Sequence, residues 1–346
     1  MKKTKGNKNN FSGAAIGIIG GAGYTGGELI RILINHPHVE IAFVHSKSNA
    51  GKYLYEVHAD LVGETKMKFS GKVDWKEADI LFLCVGHGEA KKFLEENDIP
   101  DPLRIIDLSQ DFRLSANGHL PAINSHPVVY GLPELNKNQI KKAHHVANPG
   151  CFATAIQLGL LPLAKAGLLH DVYTTGITGS TGAGQALSVT SQFSWRASNI
   201  QAYKTLNHQH IREIHQSIHQ LQPDFPLSVS TGKGVSFIPW RGDFTRGIFI
   251  SSQIDCELTE DYLTKLYDDF YQGQPFTVLS REPIFLKQVV NTNKCIIQLE
   301  KVGSKLVIHS IIDNLLKGAS GQAVQNMNLM LGINECAGLK LKANYF

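Results

Sequence analysis

No run of roughly 18 apolar residues occurs in this chain, which excludes a transmembrane helix. No Cys-x-x-Cys pair occurs either. The five cysteines (Cys84, Cys151, Cys256, Cys295 and Cys336) are odd in number and widely spaced, which argues for reduced thiols in a cytoplasm. There is no internal repeat and no low-complexity stretch. No acidic residue precedes Ala14, and Lys2, Lys3, Lys5 and Lys8 account for the whole net charge of +4. The rest of the chain is balanced, so it lacks the basic stripe that a nucleic-acid partner needs. Residues 1–13 read as a disordered, solvated tail. The apolar run Ala14 to Ala22 is broken by Gly17, Gly20 and Gly21 and offers no cleavage site, so it reads as a strand entering a loop, not as a signal peptide. His215 and His219 stand one helical turn apart without a third ligand, and no metal is expected.

What is present suits a larger fold. At 346 residues the chain exceeds the size at which single cores stop growing, so two domains with a cleft between them are expected. From Ala14 onward, β-rich runs alternate with helical segments, the pattern of an α/β fold with a parallel sheet. Strands are expected at 14–19, 39–44, 80–85, 103–108 and 145–147, with a helix at 26–35 that His36-Pro37 stops. After Cys151 a helix over 152–166 precedes strands at 172–178, 227–230, 247–254, 284–290, 295–300 and 305–312, read as an open mixed sheet. A long helix at 314–331 returns to the first domain. The division is therefore 14–150 plus 314–346 for a Rossmann-type domain, and 151–313 for an α+β domain.

The glycine cluster after the first strand places backbone N–H groups where a diphosphate can rest on a helix N-terminus. Gly21, Gly23 and Gly26 match G-x-G-x-x-G, and Gly20, Gly23 and Gly26 match a G-x-x-G-x-x-G variant; Tyr24 and Thr25 belong to the same loop. At the end of the second strand, where an NAD site wants a carboxylate, the chain has His45-Ser46-Lys47-Ser48, with Lys52 beyond. Two hydroxyls and a cation favour a 2′-phosphate, hence NADP(H). His87 and Gly88, past the third strand, join the cofactor set, as do Ser180 and Gly182 in the anion-suited loop Thr178 to Gly184.

Cys151 follows Asn-Pro-Gly and opens a helix, a position that lowers a thiol pKa through unpaired N–H groups and the helix dipole. A cysteine beside a nicotinamide suggests a thioester, whose carbonyl accepts hydride where a carboxylate does not. The element His208-Gln-His210-Ile-Arg-Glu213 offers an imidazole with a carboxylate to orient it. The other four cysteines read as small buried hydrophobes.

These pieces resemble the N-acetyl-γ-glutamyl-phosphate reductase family of arginine biosynthesis, within the aspartate-semialdehyde dehydrogenase-like group. The resemblance spans residues 15–340 and rests on Gly20-Gly-Ala-Gly-Tyr-Thr-Gly-Gly-Glu-Leu29, Leu108-Ser-Gln-Asp-Phe-Arg113, Val129-Tyr-Gly-Leu-Pro-Glu-Leu135, Asn148-Pro-Gly-Cys-Phe-Ala-Thr154 and Asp313 to Asn328. It implies that Cys151 is the nucleophile and His208 the acid/base, with His210, Glu213 and Tyr203 supporting. It further implies that Asn314, Lys317 and Gly318 contribute to the cofactor pocket and that Arg113 and Arg246 bind the substrate's phosphate and carboxylate. An acyl-phosphate substrate, free phosphate and a homodimer or homotetramer follow from the same resemblance. The family commonly has His at the position of Trp240 and Thr or Ser at that of His45. Open alternatives are a paralogous reductase of N-succinylglutamyl, aspartyl or aminoadipyl phosphate, a non-catalytic NADP sensor, and a cysteine hydrolase.

Overall fold

The computed structural model describes residues 13–116, 118–226 and 234–345. The tail before residue 13 and the strand expected at 227–230 lie outside the described residues.

Short aliphatic runs that end in turns build the first half: β1 (Ala14–Ile19), α1 (Tyr24–Leu33), β2 (Val39–His45), β3 (Ile80–Leu83), α2 (Glu89–Glu96), β4 (Arg104–Asp107), β5 (Ala122–Ile123), β6 (His126–Tyr130), α3 (Pro133–Ile140) and β7 (His145–Ala147). They form a seven-stranded sheet in the order β2-β1-β3-β4-β7-β6-β5, parallel except for the β5–β6 hairpin. All four residues of β3 are buried, as expected for a parallel sheet covered on both faces. This is the Rossmann-type arrangement. The hairpin escaped the sequence pattern because its turn is Asn124-Ser125, both at positive φ, instead of the usual Asn-Gly, and because Pro127 argues against a strand.

The second half comprises α4 (Cys151–Lys165), β8 (Val172–Thr178), α5 (Phe193–Arg196), β9 (Gln201–Ala202), α6 (His210–Leu221), β10 (Val235–Arg241), β11 (Ile248–Asp255), α7 (Glu260–Tyr271), β12 (Thr277–Ser280), β13 (Cys295–Val302), β14 (Lys305–Ile312) and α8 (Gly321–Met330). Among the described residues its strands run β12-β13-β14-β11-β8-β10-β9 with parallel and antiparallel pairs, the mixed sheet the sequence suggested. Buried and less buried positions alternate along β8, β10 and β11, so one face packs inward. Against that face lies α4, which is apolar all round and buried from Phe152 through Ala164. Among the described residues no helix is long and apolar enough to cross a membrane.

Two expected elements differ. Residues 284–290 form no strand but a short 3-10 turn at Leu286–Gln288, because Ile284 and Val289 bury together against Ile311 at a spacing that no extended strand satisfies. The long helix at 314–331 starts late, with a π-helical turn at Leu316–Ser320 ahead of α8, since Asp313 Oδ1 accepts the N–H groups of both Leu315 and Leu316. Leu316, Val324 and Met327 of this segment pack with Ile16, Phe82 and Val146 of the first sheet.

Candidate active site

The parallel strands β1, β3, β4 and β7 end toward one cavity of about 520 Å³, where the chain enters α4. Gly23 to Thr25 after β1, Gly86 and His87 after β3, Leu108 after β4 and Cys151 after β7 line it. Binding at the carboxyl ends of such strands is the rule for these sheets. From the second half come Gly182 and Thr181, Tyr203 and His208, and Arg241. Nucleotide loop, cysteine and histidine therefore share one cavity.

The nucleotide loop fits a diphosphate. Gly20 has φ +76°, and a Cβ there would lie 2.4 Å from the Cys84 carbonyl oxygen, so the tight turn needs glycine. At the N-terminus of α1, Gly23 has no side-chain cap and the first turn carries no acid, which leaves N–H groups for an anion. Gly26 sits where a Cβ would meet Gly21 at 2.6 Å, allowing helix and strand to pack closely. Ser46, Lys47 and Ser48 lie at the end of β2, outside the cavity that holds Cys151. There Asn49 donates to both serine hydroxyls and Lys52 Nζ donates to Asn49 Oδ1, a linked polar cluster.

Cys151 is the first residue of α4 and is partly open to the cavity. The thiol is nevertheless pushed up to about 11, opposite to the direction expected from its sequence position. Burial is the largest cause; the Phe152 N–H and the Arg113 charge pull the other way without winning. A helix terminus contributes roughly 0.3–1 kcal/mol, less than the desolvation of a thiolate enclosed by protein.

His208 is wedged among Phe152, Tyr203, His210 and Phe237, with ring centroids 5.6, 5.9, 4.6 and 5.6 Å away. This cage explains why desolvation pushes its pKa down to about 3. Its Nδ1 accepts the His210 N–H at 3.2 Å, which leaves the proton of the neutral ring on Nε2. Tyr203 is pushed up to about 12, first by burial and then by the neighbouring Cys151.

The expectation that Glu213 orients His208 is not met. Glu213 Oε1 pairs with Arg113 at 3.0 Å and lies 3.9 Å from His210 Nε2. Its Oε2 accepts the Tyr130 hydroxyl and the Gly150 N–H, each at 2.9 Å. His210 is pushed well below its ordinary value by burial and by Arg113, so it stays neutral. Its ring also packs where a Cβ on Gly150 would stand, 2.3 Å from Nε2.

The two expected anion anchors are already engaged. Arg246 binds Asp313 through Nε and Nη2 at 3.1 Å and Glu28 through Nη1 at 2.7 Å, and it lies outside the Cys151 cavity. Arg113 reaches the cavity, but Glu213 and the Leu108 carbonyl hold its guanidinium. Lys317 is fully buried on Glu134 at 2.7 Å and on Gln325, with no access to the cavity, which corrects its place in the cofactor set. Gly318 does line the cavity: a Cβ there would lie 2.9 Å from that of Cys151. Asn314 lines it too, donating to Thr181 Oγ1 and accepting the Gly247 N–H. His87 lines it, whereas Gly88 and Ser180 do not: Gly88 donates to Asp111 at the start of α2, and Ser180 donates to Phe244. Sequence reasoning missed Thr181, Lys204 and Arg241. Arg241 ends β10, whose internal Pro239 concealed the strand.

Fold and site define a two-domain semialdehyde dehydrogenase. The family model described as "Semialdehyde dehydrogenase, NAD binding domain" matches residues 15–143, and "Semialdehyde dehydrogenase, dimerisation domain" matches residues 151–314. Among solved structures, aspartate semialdehyde dehydrogenase II from Vibrio cholerae aligns with a TM-score of 0.68 at 17% identity, covering 93% of this chain and 99% of that one. Aspartate semialdehyde dehydrogenase with NADP from Candida albicans aligns at 0.62 and 14% identity, covering 92% and 99%. Two proteins named N-acetyl-gamma-glutamyl-phosphate reductase, from Christiangramia forsetii and Phocaeicola vulgatus, are 54% and 53% identical over 331 residues, 95% of this chain and 99% of each relative. The chain belongs to the N-acetyl-gamma-glutamyl-phosphate reductase family.

Proposed function

We propose that this chain reduces N-acetyl-γ-glutamyl phosphate to N-acetylglutamate semialdehyde and phosphate with NADPH, through a thioester on Cys151, as a step of arginine biosynthesis. The observation that carries this reading is the meeting of Cys151, His208 and the Gly23 loop in one cavity. When bound, NADPH supplies the hydride. The loop Gly23 to Thr25, with Gly182 and Asn314 opposite, would hold it, and Ser46, Ser48 and Lys52 would meet its 2′-phosphate.

The residues of the chain then divide the chemistry. Burial disfavours charge on both Cys151 and His208, so the resting pair is neutral thiol and neutral imidazole. The sulfur attacks the acyl carbon as its proton is lost. The carbon–oxygen bond to phosphate breaks, and thiol proton and phosphate leave together. His208 Nε2–H, keeping its proton, hydrogen-bonds the acyl oxygen as negative charge builds on it; when the thiohemiacetal oxyanion re-forms a carbonyl and releases the aldehyde, the sulfur leaves as a thiolate and takes up one proton from solvent to restore the resting thiol. Arg113, although paired, keeps a positive charge near the sulfur throughout.

In this reading residues 14–150 and 314–345 hold the nucleotide, and residues 151–313 carry the catalytic groups and the surface for a homodimer or homotetramer. All five cysteines are unpaired, which fits a reducing cytoplasm.

The test is phosphate-dependent NADP⁺ reduction with N-acetylglutamate semialdehyde, its N-succinyl analogue and aspartate semialdehyde side by side. The acetyl compound should give the highest kcat/KM; preference for either of the others would reassign the substrate. A protonated thiol is also what a non-catalytic NADP-binding protein would show. Turnover of any of the three aldehydes excludes that alternative.

A further inference from the structure

A substrate of the proposed class carries two anionic groups, the acyl phosphate and the α-carboxylate, and each needs a cation in the cavity. Among the described residues, the Lys and Arg side chains that line it are Arg113, Lys204 and Arg241. Arg113 is committed to Glu213 and Leu108. Lys204 donates to Gln209 Oε1 at 2.8 Å and is exposed. Arg241 forms no ion pair among the described residues. Its contacts are a long hydrogen bond from Nη1 to Thr190 Oγ1 at 3.4 Å, a hydrogen bond to Tyr203, and the Tyr203 ring, 4.6 Å below its guanidinium carbon.

Position separates the two ends of the substrate. Phosphate departs from the carbon that the sulfur attacks, so its site adjoins Cys151. The α-carboxylate lies four carbon–carbon bonds further along. Arg113 is tied through Glu213 to the N–H of Gly150, the residue immediately before Cys151, whereas Arg241 lines the same cavity from the end of β10, over the Tyr203 ring. Arg241 also ends β10 in register with Thr178, where the Thr178–Gly184 loop starts, so strand pairing and an aromatic face both fix its stem. A planar fork held in this way is suited to bidentate recognition of a carboxylate.

Resting on the activity proposed above, we infer that Arg241, stacked on Tyr203, is the residue that binds the substrate's α-carboxylate and so selects acidic amino-acid semialdehydes. Arg246, the cation that family resemblance suggested, has a structural role instead.

The test measures KM for N-acetylglutamate semialdehyde, for its α-methyl ester and for phosphate, in the wild type and in Arg241→Met, Arg241→Lys and Lys204→Met. Arg241→Met should raise the semialdehyde KM roughly 10- to 100-fold, the size of a lost charged hydrogen bond, while the phosphate KM and kcat change little. The wild type should discriminate against the ester by a similar factor, and the Met variant should not. Arg241→Lys, which keeps a charge and a stem over Tyr203, should fall between them and keeps the test decisive if the Met variant fails to fold. Two results would overturn the inference: an Arg241→Met enzyme that still prefers acid over ester as the wild type does, or a Lys204→Met enzyme that loses the preference in its place. A wild type inactive on every semialdehyde would instead sink the proposed function, and this inference with it.

Discussion

Glu213 Oε2 accepts the backbone N–H of Gly150 at 2.9 Å, so a carboxylate on α6 holds the residue that caps α4 immediately before Cys151. The same oxygen accepts from Tyr130, and the other oxygen pairs with Arg113. Three segments distant in sequence are thus tied to the start of the helix that carries the nucleophile. Glu213→Gln keeps the shape but turns one acceptor into a donor facing donors. It should lower kcat by one to two orders of magnitude, from roughly 1.5–3 kcal/mol per charged hydrogen bond, with NADPH affinity little changed. Steady-state kinetics beside an NADPH titration decides; an undiminished kcat would show that the tether is dispensable.

Cys151→Ala should abolish turnover and leave NADPH binding within a few-fold, measured by fluorescence titration. In the wild type, a thiol pushed up to about 11 predicts alkylation by iodoacetamide at a rate that climbs about tenfold per pH unit from neutrality toward pH 10. A rate that levels off below pH 8 would reveal a preformed thiolate and contradict the neutral-pair mechanism.

Arg246→Ala removes the link between α1 and the end of β14, leaving the fully buried Asp313 without its cation and Glu28 with Arg31 alone. Urea unfolding should register a loss on the order of 3 kcal/mol, while the semialdehyde KM of the folded fraction stays near the wild-type value. A selective rise in that KM would return Arg246 to the substrate site.

Lys317→Met should destabilise by roughly 3–5 kcal/mol, because it strands the Glu134 carboxylate in the core; adding Glu134→Gln should recover much of the loss. A double variant no more stable than the single one would mean that the pair is not coupled in this way.

Acid stability follows from buried neutral histidines. His208 and His145 are pushed down to about 3, His215 to about 4 and His210 well below its ordinary value, mainly by burial. Between these values and the ordinary 6.5, the unfolded chain binds the proton and the folded chain does not, so stability falls as pH drops below about 6.5. Asp107, pushed up to about 6 by burial, acts in the opposite direction between pH 3.8 and 6. Each uncompensated histidine contributes about 1.4 kcal/mol per pH unit. His145→Asn should remove one proton's worth of slope from a plot of unfolding free energy against pH; an unchanged slope would show that His145 is protonated in the fold.

Local chemistry makes much of this protein readable in its sequence. An aliphatic run followed by a glycine turn marks β1 and its loop because strand, tight turn and helix N-terminus are all built from neighbouring residues. The same holds for the positions of β7 and of Cys151 at the head of α4. Elements that violate local preference were lost: β10 carries a proline, the β5–β6 turn uses Asn124-Ser125, and the start of the last helix is reshaped by Asp313.

The two-part α/β plan, the phosphate loop and the candidate nucleophile were legible because each is a property of contiguous residues. How the charges pair depends on folding, which brings distant residues together. Arg246 meets Glu28 across 218 positions and Glu213 meets Arg113 across 100, leaving Arg241 facing the cavity. Folding likewise moves the Cys151 thiol up, because desolvation depends on what surrounds the sulfur and not on which residues adjoin it in the chain.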